Sequence, residues 1–366
     1  MAISNDGMES REAYGMGAQF MDSLKGILTG LALFPISFII IWQVETCTQA
    51  GDAFKNAKPV SQAEEGKPVY ITGTLAASPV GNYFIKQGNY ISVRQSSEIL
   101  AWDEEEKTEG SGANKEKVRT CKLKWTTSPD NPSSFKLPAC KSKQFFQRTV
   151  KDETVVADNA KITQDGKSYS VDLKDVKLAS AISSSSPPED QITSNGWTLS
   201  GNYLYNDPRC SSQELQGCER ISLSVTPVPS KSMTFLGSLS GSSLTKYVYK
   251  DDKFLNASIG TYEETMKDIK GDDSTTKWIG RIIGFIAMWA SFALLAGPLT
   301  TVLDFIPIIG SMGKSAINFV LGFVAFIITL LTILLIKLWF VWLLILAGAI
   351  GYGFYKRKQQ KAAATT

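Results

Sequence analysis

The sequence predicts an α+β membrane protein: one N-terminal and three C-terminal transmembrane helices around a large β-rich domain outside the cytoplasm, extracytoplasmic or lumenal. Three observations carry that fold class. A mean hydropathy of −0.04 over 366 residues conceals two flanks of Leu, Ile, Phe, Ala and Gly around a middle rich in Ser, Lys and Asp. That middle alternates apolar and polar side chains with a period of two, the mark of half-buried strands. All five cysteines, Cys47, Cys121, Cys140, Cys210 and Cys218, fall in the middle and none in a flank, as an oxidising compartment would favour.

Residues 1–23 form a polar leader. Residues 24–44 follow without a charge after Lys25, and about 21 residues at 1.5 Å each cross a hydrocarbon core of roughly 30 Å. The competing reading is a cleaved signal peptide, but the run is long, follows a polar leader and lacks a small-x-small cleavage site. Pro35 inside it implies a kink, which lipid-embedded helices tolerate. Residues 278–299 are the second span, with Arg281 near its start snorkelling toward headgroups. Residues 300–314 read as a short cytoplasmic interfacial loop, broken by Asp304, Pro307, Gly310 and Gly313.

Residues 315–355 contain one charge, Lys337. Their length fits a helical hairpin, 315–336 and 338–355, better than one helix. Trp339, Trp342, Tyr352 and Tyr355 supply interfacial aromatics. The tail 356–366 carries Lys356, Arg357, Lys358 and Lys361, which places it in the cytoplasm. Four spans put both termini there, together with Arg11, Lys25 and Lys314, and leave residues 45–277 on the other side.

Within the polar stretch Val69, Ile71 and Leu75 alternate with polar positions, as do Cys121, Leu123 and Trp125, and Ile221, Leu223 and Val225. Trp197, Leu199, Tyr203 and Tyr205 are expected to share one face. Turn chemistry separates the runs at Ser128-Pro129-Asp130-Asn131-Pro132, at Gln164-Asp165-Gly166 and across residues 183–188. One β-rich domain is the preferred reading, two modules divided at the Ser/Pro stretch the alternative. Ile259, Tyr262, Met266 and Ile269 follow helical spacing, so a short amphipathic helix is expected before Gly271. Asn256-Ala257-Ser258 is a glycosylation sequon, meaningful only in a eukaryotic secretory lumen.

Two disulfides suit the cysteine spacing. Cys210 with Cys218 would close a short loop around Glu214 and Gly217, and Cys121 with Cys140 would staple neighbouring strands across a Pro-rich turn. Five independent buried thiols is the competing reading, and Cys47 is left over in either. No CxxC pair points to metal.

Charge and composition remove several function classes. A net charge of +3 from 38 basic and 35 acidic residues, interspersed, does not make a nucleic-acid surface. Histidine is absent, which removes the usual general base of Ser-His-Asp and Cys-His sites and the commonest ligand of zinc. The run Asp103, Glu104, Glu105, Glu106 reads as solvated surface. The expectation is no catalytic residue, no cofactor and no metal.

Several elements in order resemble the transmembrane protein 43 family, also called LUMA. They are Glu45 after the first span, residues 90–105 with Arg94, Trp102 and Glu104, and residues 122–125. Further along come residues 217–225 followed by Pro227 and Pro229, then Gly260 with Glu263-Glu264-Thr265-Met266, and residues 297–310 from Gly297-Pro298 to Asp304-Phe305-Ile306-Pro307-Ile308-Ile309-Gly310. The resemblance implies one leading span, a lumenal domain, three closing spans, and a membrane organiser that self-associates and binds other membrane proteins. In animals it implies the endoplasmic reticulum and inner nuclear membrane, with lamins and emerin as partners; a bacterial relative would sit in the inner or plasma membrane.

A non-enzymatic scaffold in the lipid bilayer, homo-oligomeric and binding other membrane proteins, is therefore the expected function. Gly280 and Gly284 form a GxxxG, and Ala347 with Gly351 and Ala349 with Gly353 place small residues four apart, allowing close helix approach. Packing among the chain's own spans explains the same spacing. A channel or transporter subunit is the alternative, built on Asp304, Pro307 and Gly310 in the broken loop and on Arg281 and Lys337 at span ends. A membrane enzyme working without histidine ranks third.

Overall fold

The structure, a computed structural model, describes residues 2–3, 8–110, 114–304, 309–338, 347, 348, 350 and 352. The chain divides into two compact units, a polar one (1–13, 48–110 and 115–274) and an apolar one (14–47, 111–114 and 275–366).

Six strands organise the polar unit: β1 (Glu9–Ala13), β2 (Pro68–Ala76), β3 (Tyr90–Glu109), β4 (Glu116–Thr126), β5 (Glu219–Pro227) and β6 (Met233–Ser240). One sheet runs from Ala2–Ile3 through β1, β4, β3 and β5 to Tyr203–Tyr205 and Thr198–Ser200, with Glu153–Val156 also on β3. Along β5 the alternation holds from Glu219 to Val225: Ile221, Leu223 and Val225 are buried while Ser222 is exposed. Its partner β3 sets Val93 opposite Val225, so both apolar rows fall on one face. In the second sheet β2 pairs both with β6 and with Lys161–Gln164. The path through Lys167–Val171 and Ser243–Thr245 returns to β6, closing five strands into a ring. The hairpin Lys161–Gln164 to Lys167–Val171 turns on Asp165 (φ 50°) and Gly166 (φ 74°), the left-handed pair that a two-residue hairpin requires.

Val69, Ile71, Ile162 and Phe235 of the second sheet meet Ile91, Val93, Ile221 and Leu223 of the first in one core. A single core joins residues on both sides of the 183–188 stretch, so the polar unit is one domain. Three expectations change. Leu199 lies opposite Leu204 across the turn at Gly201-Asn202; directly opposed residues share a face, so Trp197 and Leu199 turn to the core while Tyr203 and Tyr205 lie on the other side. The helix before Gly271 does not stop there but continues, because one glycine costs about 1 kcal/mol and does not break a helix. The leader is not separate either: β1 pairs with β4 from Glu9 opposite Thr120 to Ala13 opposite Glu116.

The apolar unit is built from α1 (Met16–Thr46), the later part of α2 (Tyr262–Leu295), α3 (Gly297–Asp304) and α4 (Ile309–Lys337). Helix α1 starts before the apolar run and stays helical through Pro35. The expected loop 300–314 is largely helical at the described positions: Pro298 occupies the first turn of α3, where proline lacks no needed N–H. Helix α4 ends at Lys337 with a turn at Leu338. Among the described residues three helices are long and apolar enough to cross a membrane. The expected fourth span, 338–355, lies mostly outside the described residues.

Candidate functional site

Helices α1 and α2 are held together by small residues at their contact. A Cβ on Gly280 would overlap Val44, and one on Gly284 would stand 2.6 Å from Ile41 Cγ1. At Gly30 it would meet Leu294 Cβ and Leu295 Cγ at 3.1 Å. The Ser291 hydroxyl donates to Gly30 O at 2.9 Å, and Phe34 and Phe292 rings lie 5.6 Å apart. The pairs progress in opposite directions along the two helices, so α1 and α2 are antiparallel. The GxxxG face of α2 is thus filled by α1 of the same chain.

One ion pair closes this contact. Arg281 Nε donates to Glu45 Oε1 at 2.6 Å and Nη2 to Oε2 at 3.1 Å. The Glu45 side chain is 1% exposed and that of Arg281 19%. Glu45 sits in the last turn of α1, where the helix dipole disfavours a carboxylate, and the forked guanidinium supplies the compensating charge in a bidentate geometry. Trp278 covers the guanidinium with its ring centroid 5.3 Å away. Arg281 is therefore bound within the bundle and does not snorkel as a lone cation.

Further along, Ser23 and Thr301 hydroxyls join α1 to α3 at 2.6 Å. Trp289 Nε1 donates to Asn318 O at 3.3 Å, and Phe285 meets Phe326 at 6.2 Å, joining α2 to α4. Asp304 ends α3 and Gly310 lies in the first turn of α4. Pro307 and Gly351 lie outside the described residues, and Ala347 is helical. Lys337, exposed, ends α4, where a cation complements the helix dipole.

In the polar unit several carboxylates hold backbone, one of them buried. Glu219, 1% exposed, accepts from the Thr149 amide and hydroxyl at 3.0 and 2.6 Å and from the Val150 amide at 2.9 Å. Glu104 accepts from the amides of Lys136 and Leu137. Asp152 is held below the usual carboxylate range first by the Ser97 amide, then by Arg148. The acidic run 103–106 is thus more than solvated surface: Asp103 faces Lys124, Glu105 faces Lys122, and Glu106 binds Arg119.

The structure joins Cys121 to Cys140 and Cys210 to Cys218, with Cα atoms 5.6 and 5.7 Å apart; Cys47 is free and exposed. The first bridge sits with Phe135, Leu137, Met8 and Trp102 in a small cluster, the second with Leu100, Leu123, Trp125 and Tyr205. Beside the second, Arg220 stacks between Trp125 and Tyr203 at 4.3 and 4.4 Å and binds Glu98 at 2.6 Å. Asp207, drawn down to about 2 by Arg209, caps the turn that carries Cys210.

The family model described as Transmembrane protein 43 matches residues 99–342. The chain belongs to the transmembrane protein 43 family. The matched segment takes in β4, both disulfides, Arg281 and helices α2 to α4. No curated protein and no solved structure matches the chain. The sequence reading of this family member missed the partnership of Glu45 with Arg281; the available signal was an acid and a base each set at the polar end of a span.

Proposed function

We propose that this member of the transmembrane protein 43 family is a non-enzymatic multi-pass scaffold that binds other membrane proteins through its polar domain, with that domain lumenal or extracytoplasmic. The observation that carries the reading is the use of its charged groups: Glu219, Glu104 and Asp152 are committed to backbone amides and Glu45 to Arg281. Such groups build a rigid display surface and are not poised for proton transfer. Among the described residues no group of three or more Cys, Asp and Glu is arranged to hold a metal. Because α1 fills the Gly280 and Gly284 face, self-association uses other faces of the bundle. The compartment is the endoplasmic reticulum and nuclear envelope in a eukaryote, the inner or plasma membrane in a bacterium.

Sidedness has to reconcile two features. A ladder between β1 and β4 needs both strands in one compartment, whereas a crossing α1 separates them. Residues 24–44 hold twelve Leu, Ile, Phe and Val side chains, each costing roughly 1.5–3 kcal/mol if left in water. Five ladder residues contribute about 1 kcal/mol per hydrogen bond, and exposed pairs such as Arg11 with Glu9 add little. In a bilayer the crossing of α1 outweighs the ladder, which leaves the leader on the side opposite the polar domain; in the proposed topology that leader is cytoplasmic and residues 338–355 form a fourth span. Proximity labelling from a tag in the polar domain tests the scaffold: it is expected to enrich a reproducible set of membrane proteins over a tag held at the same side by an unrelated span. No enrichment over that control overturns it.

A further inference from the structure

The first three turns of α2 belong to the polar unit, and their acidic and basic residues are used unequally. Glu264 accepts from the Thr261 amide at 2.8 Å, Asp268 from the Ser258 hydroxyl at 2.6 Å, Asp272 from the Ser180 amide at 2.9 Å and Asp273 from the Gly51 amide at 2.8 Å. These four carboxylates are thereby tied to neighbouring loops and strands, which leaves Glu263 as the fifth acid of the segment. The lysines are not. Among the described residues no ion pair or hydrogen bond holds Lys55, Lys267 or Lys270, and all three are exposed.

These three lysines line one cavity of about 450 Å³ together with Tyr262, Glu263 and Met266. Lys267 and Lys270 stand three apart on α2, so they project from one helix face. Lys55 follows the one-turn helix Ala50–Ala53, and Phe54 O, beside it, accepts from the Tyr262 hydroxyl at 2.8 Å. The Lys270 stem packs on Gly51, where an added Cβ would stand 2.8 Å from its Cγ. Tyr262 stacks on Tyr70 with centroids 4.5 Å apart. The cavity wall is therefore fixed by packing and holds three cations against the single carboxylate of Glu263. Uncompensated positive charge converging on a cavity is the arrangement that takes a phosphate.

The position along the chain selects the source of that phosphate. Helix α2 is continuous, and Lys270 precedes Trp278, the first residue of the apolar run, by eight residues, about 12 Å of helix. The polar headgroup layer is roughly 5–8 Å deep on each side, and an extended lysine reaches much of the remaining distance. We propose that Lys55, Lys267 and Lys270 form a site for the phosphate of an anionic lipid headgroup, with Met266 and the Tyr262 ring providing its apolar wall.

The test titrates the full-length protein in detergent with dihexanoyl phosphatidic acid, dihexanoyl phosphatidylcholine and inorganic phosphate, following occupancy by native mass spectrometry. Phosphatidic acid is expected to bind more tightly than either of the others. The triple variant Lys55→Gln/Lys267→Gln/Lys270→Gln, checked for an unchanged melting temperature, is expected to lose tenfold or more in affinity. The single variant Glu263→Gln, which leaves the lysines in place, is expected to bind a few-fold more tightly. Equal binding of phosphatidic acid by wild type and triple variant overturns the site. Inorganic phosphate binding as tightly as phosphatidic acid overturns the lipid source, and equal binding of phosphatidylcholine overturns the requirement for net negative charge.

Discussion

Replacing Arg281 by Gln tests the clamp between α1 and α2. The substitution leaves Glu45, 1% exposed and accepting at 2.6 and 3.1 Å in the wild type, as a buried carboxylate without a cation. Removing one partner of a buried pair costs about 3–5 kcal/mol. Arg281 retains 19% exposure, so the lower end applies, about 3 kcal/mol, roughly a 150-fold change in the folding equilibrium. Glu45→Gln costs less, because the amide oxygen still accepts from the guanidinium and the remaining cation is nearer to water. The exchange Glu45→Arg/Arg281→Glu restores part of the loss, since the acid then leaves the negative end of α1 but the fork must be rebuilt from the other helix. Unfolding of the purified protein by SDS titration in mixed micelles, followed by tryptophan fluorescence, measures all three. An Arg281→Gln variant within 0.5 kcal/mol of wild type, or single losses that add without coupling in the double Glu45→Gln/Arg281→Gln, would refute the clamp.

Gly284→Leu places a branched side chain where Ile41 Cγ1 already stands; overpacking of about 1–3 kcal/mol is expected in the same assay, with crosslinking between copies in native membranes unchanged. Loss of crosslinked dimer without loss of stability would return that face to self-association. Cys121→Ser/Cys140→Ser opens a loop of 19 residues, for which about 3 kcal/mol is expected, and wild-type mobility should shift between reducing and non-reducing gels; five titratable thiols would exclude both bridges. Asp152 and Asp207 have folded-state pKa values below their ordinary range, so they stabilise above the unfolded value near 4 and the contribution is lost as pH falls below it, for Asp207 over the range down to about 2. Asp152→Asn and Asp207→Asn should flatten the acid limb of a melting profile, and an unaltered limb counts against both. Reporters fused to the N-terminus and after Lys361 should both read as cytoplasmic, with a reporter in the polar domain on the other side; an N-terminal reporter on the domain's side would mean that the β1 ladder prevails over the crossing of α1.

Much of the fold could be read because it rests on periodicity. Val69, Ile71 and Ile221 are buried and alternate with less buried neighbours, and their strands follow from that period alone. Parity could not be carried across a turn: Tyr203 and Tyr205 look continuous with Trp197 and Leu199 until the two residues at Gly201-Asn202 set Leu199 opposite Leu204. Breakers misled for a related reason. Gly271 and Pro298 are weak obstacles at the positions they occupy, one inside a long helix and one in a first turn, and sequence gives the residue before it gives the position.

The charged groups show a deeper limit. Glu45 and Arg281 are separated by more than two hundred residues, and either alone reads as an interfacial charge at the end of a span. Only the antiparallel contact of α1 with α2, set by Gly280, Gly284 and Gly30, brings them within 2.6 Å. The same holds for Lys267 and Lys270. On the sequence they alternate with Glu264, Asp268, Asp272 and Asp273 and look neutralised. In the fold each acid is drawn to a backbone amide or hydroxyl of the polar unit, and the lysines remain uncompensated beside Lys55. Net charge along a helix therefore says little about its field: what matters is which charges the rest of the fold has already engaged, and here four of the five acids are engaged while three bases share the cavity with Glu263 alone.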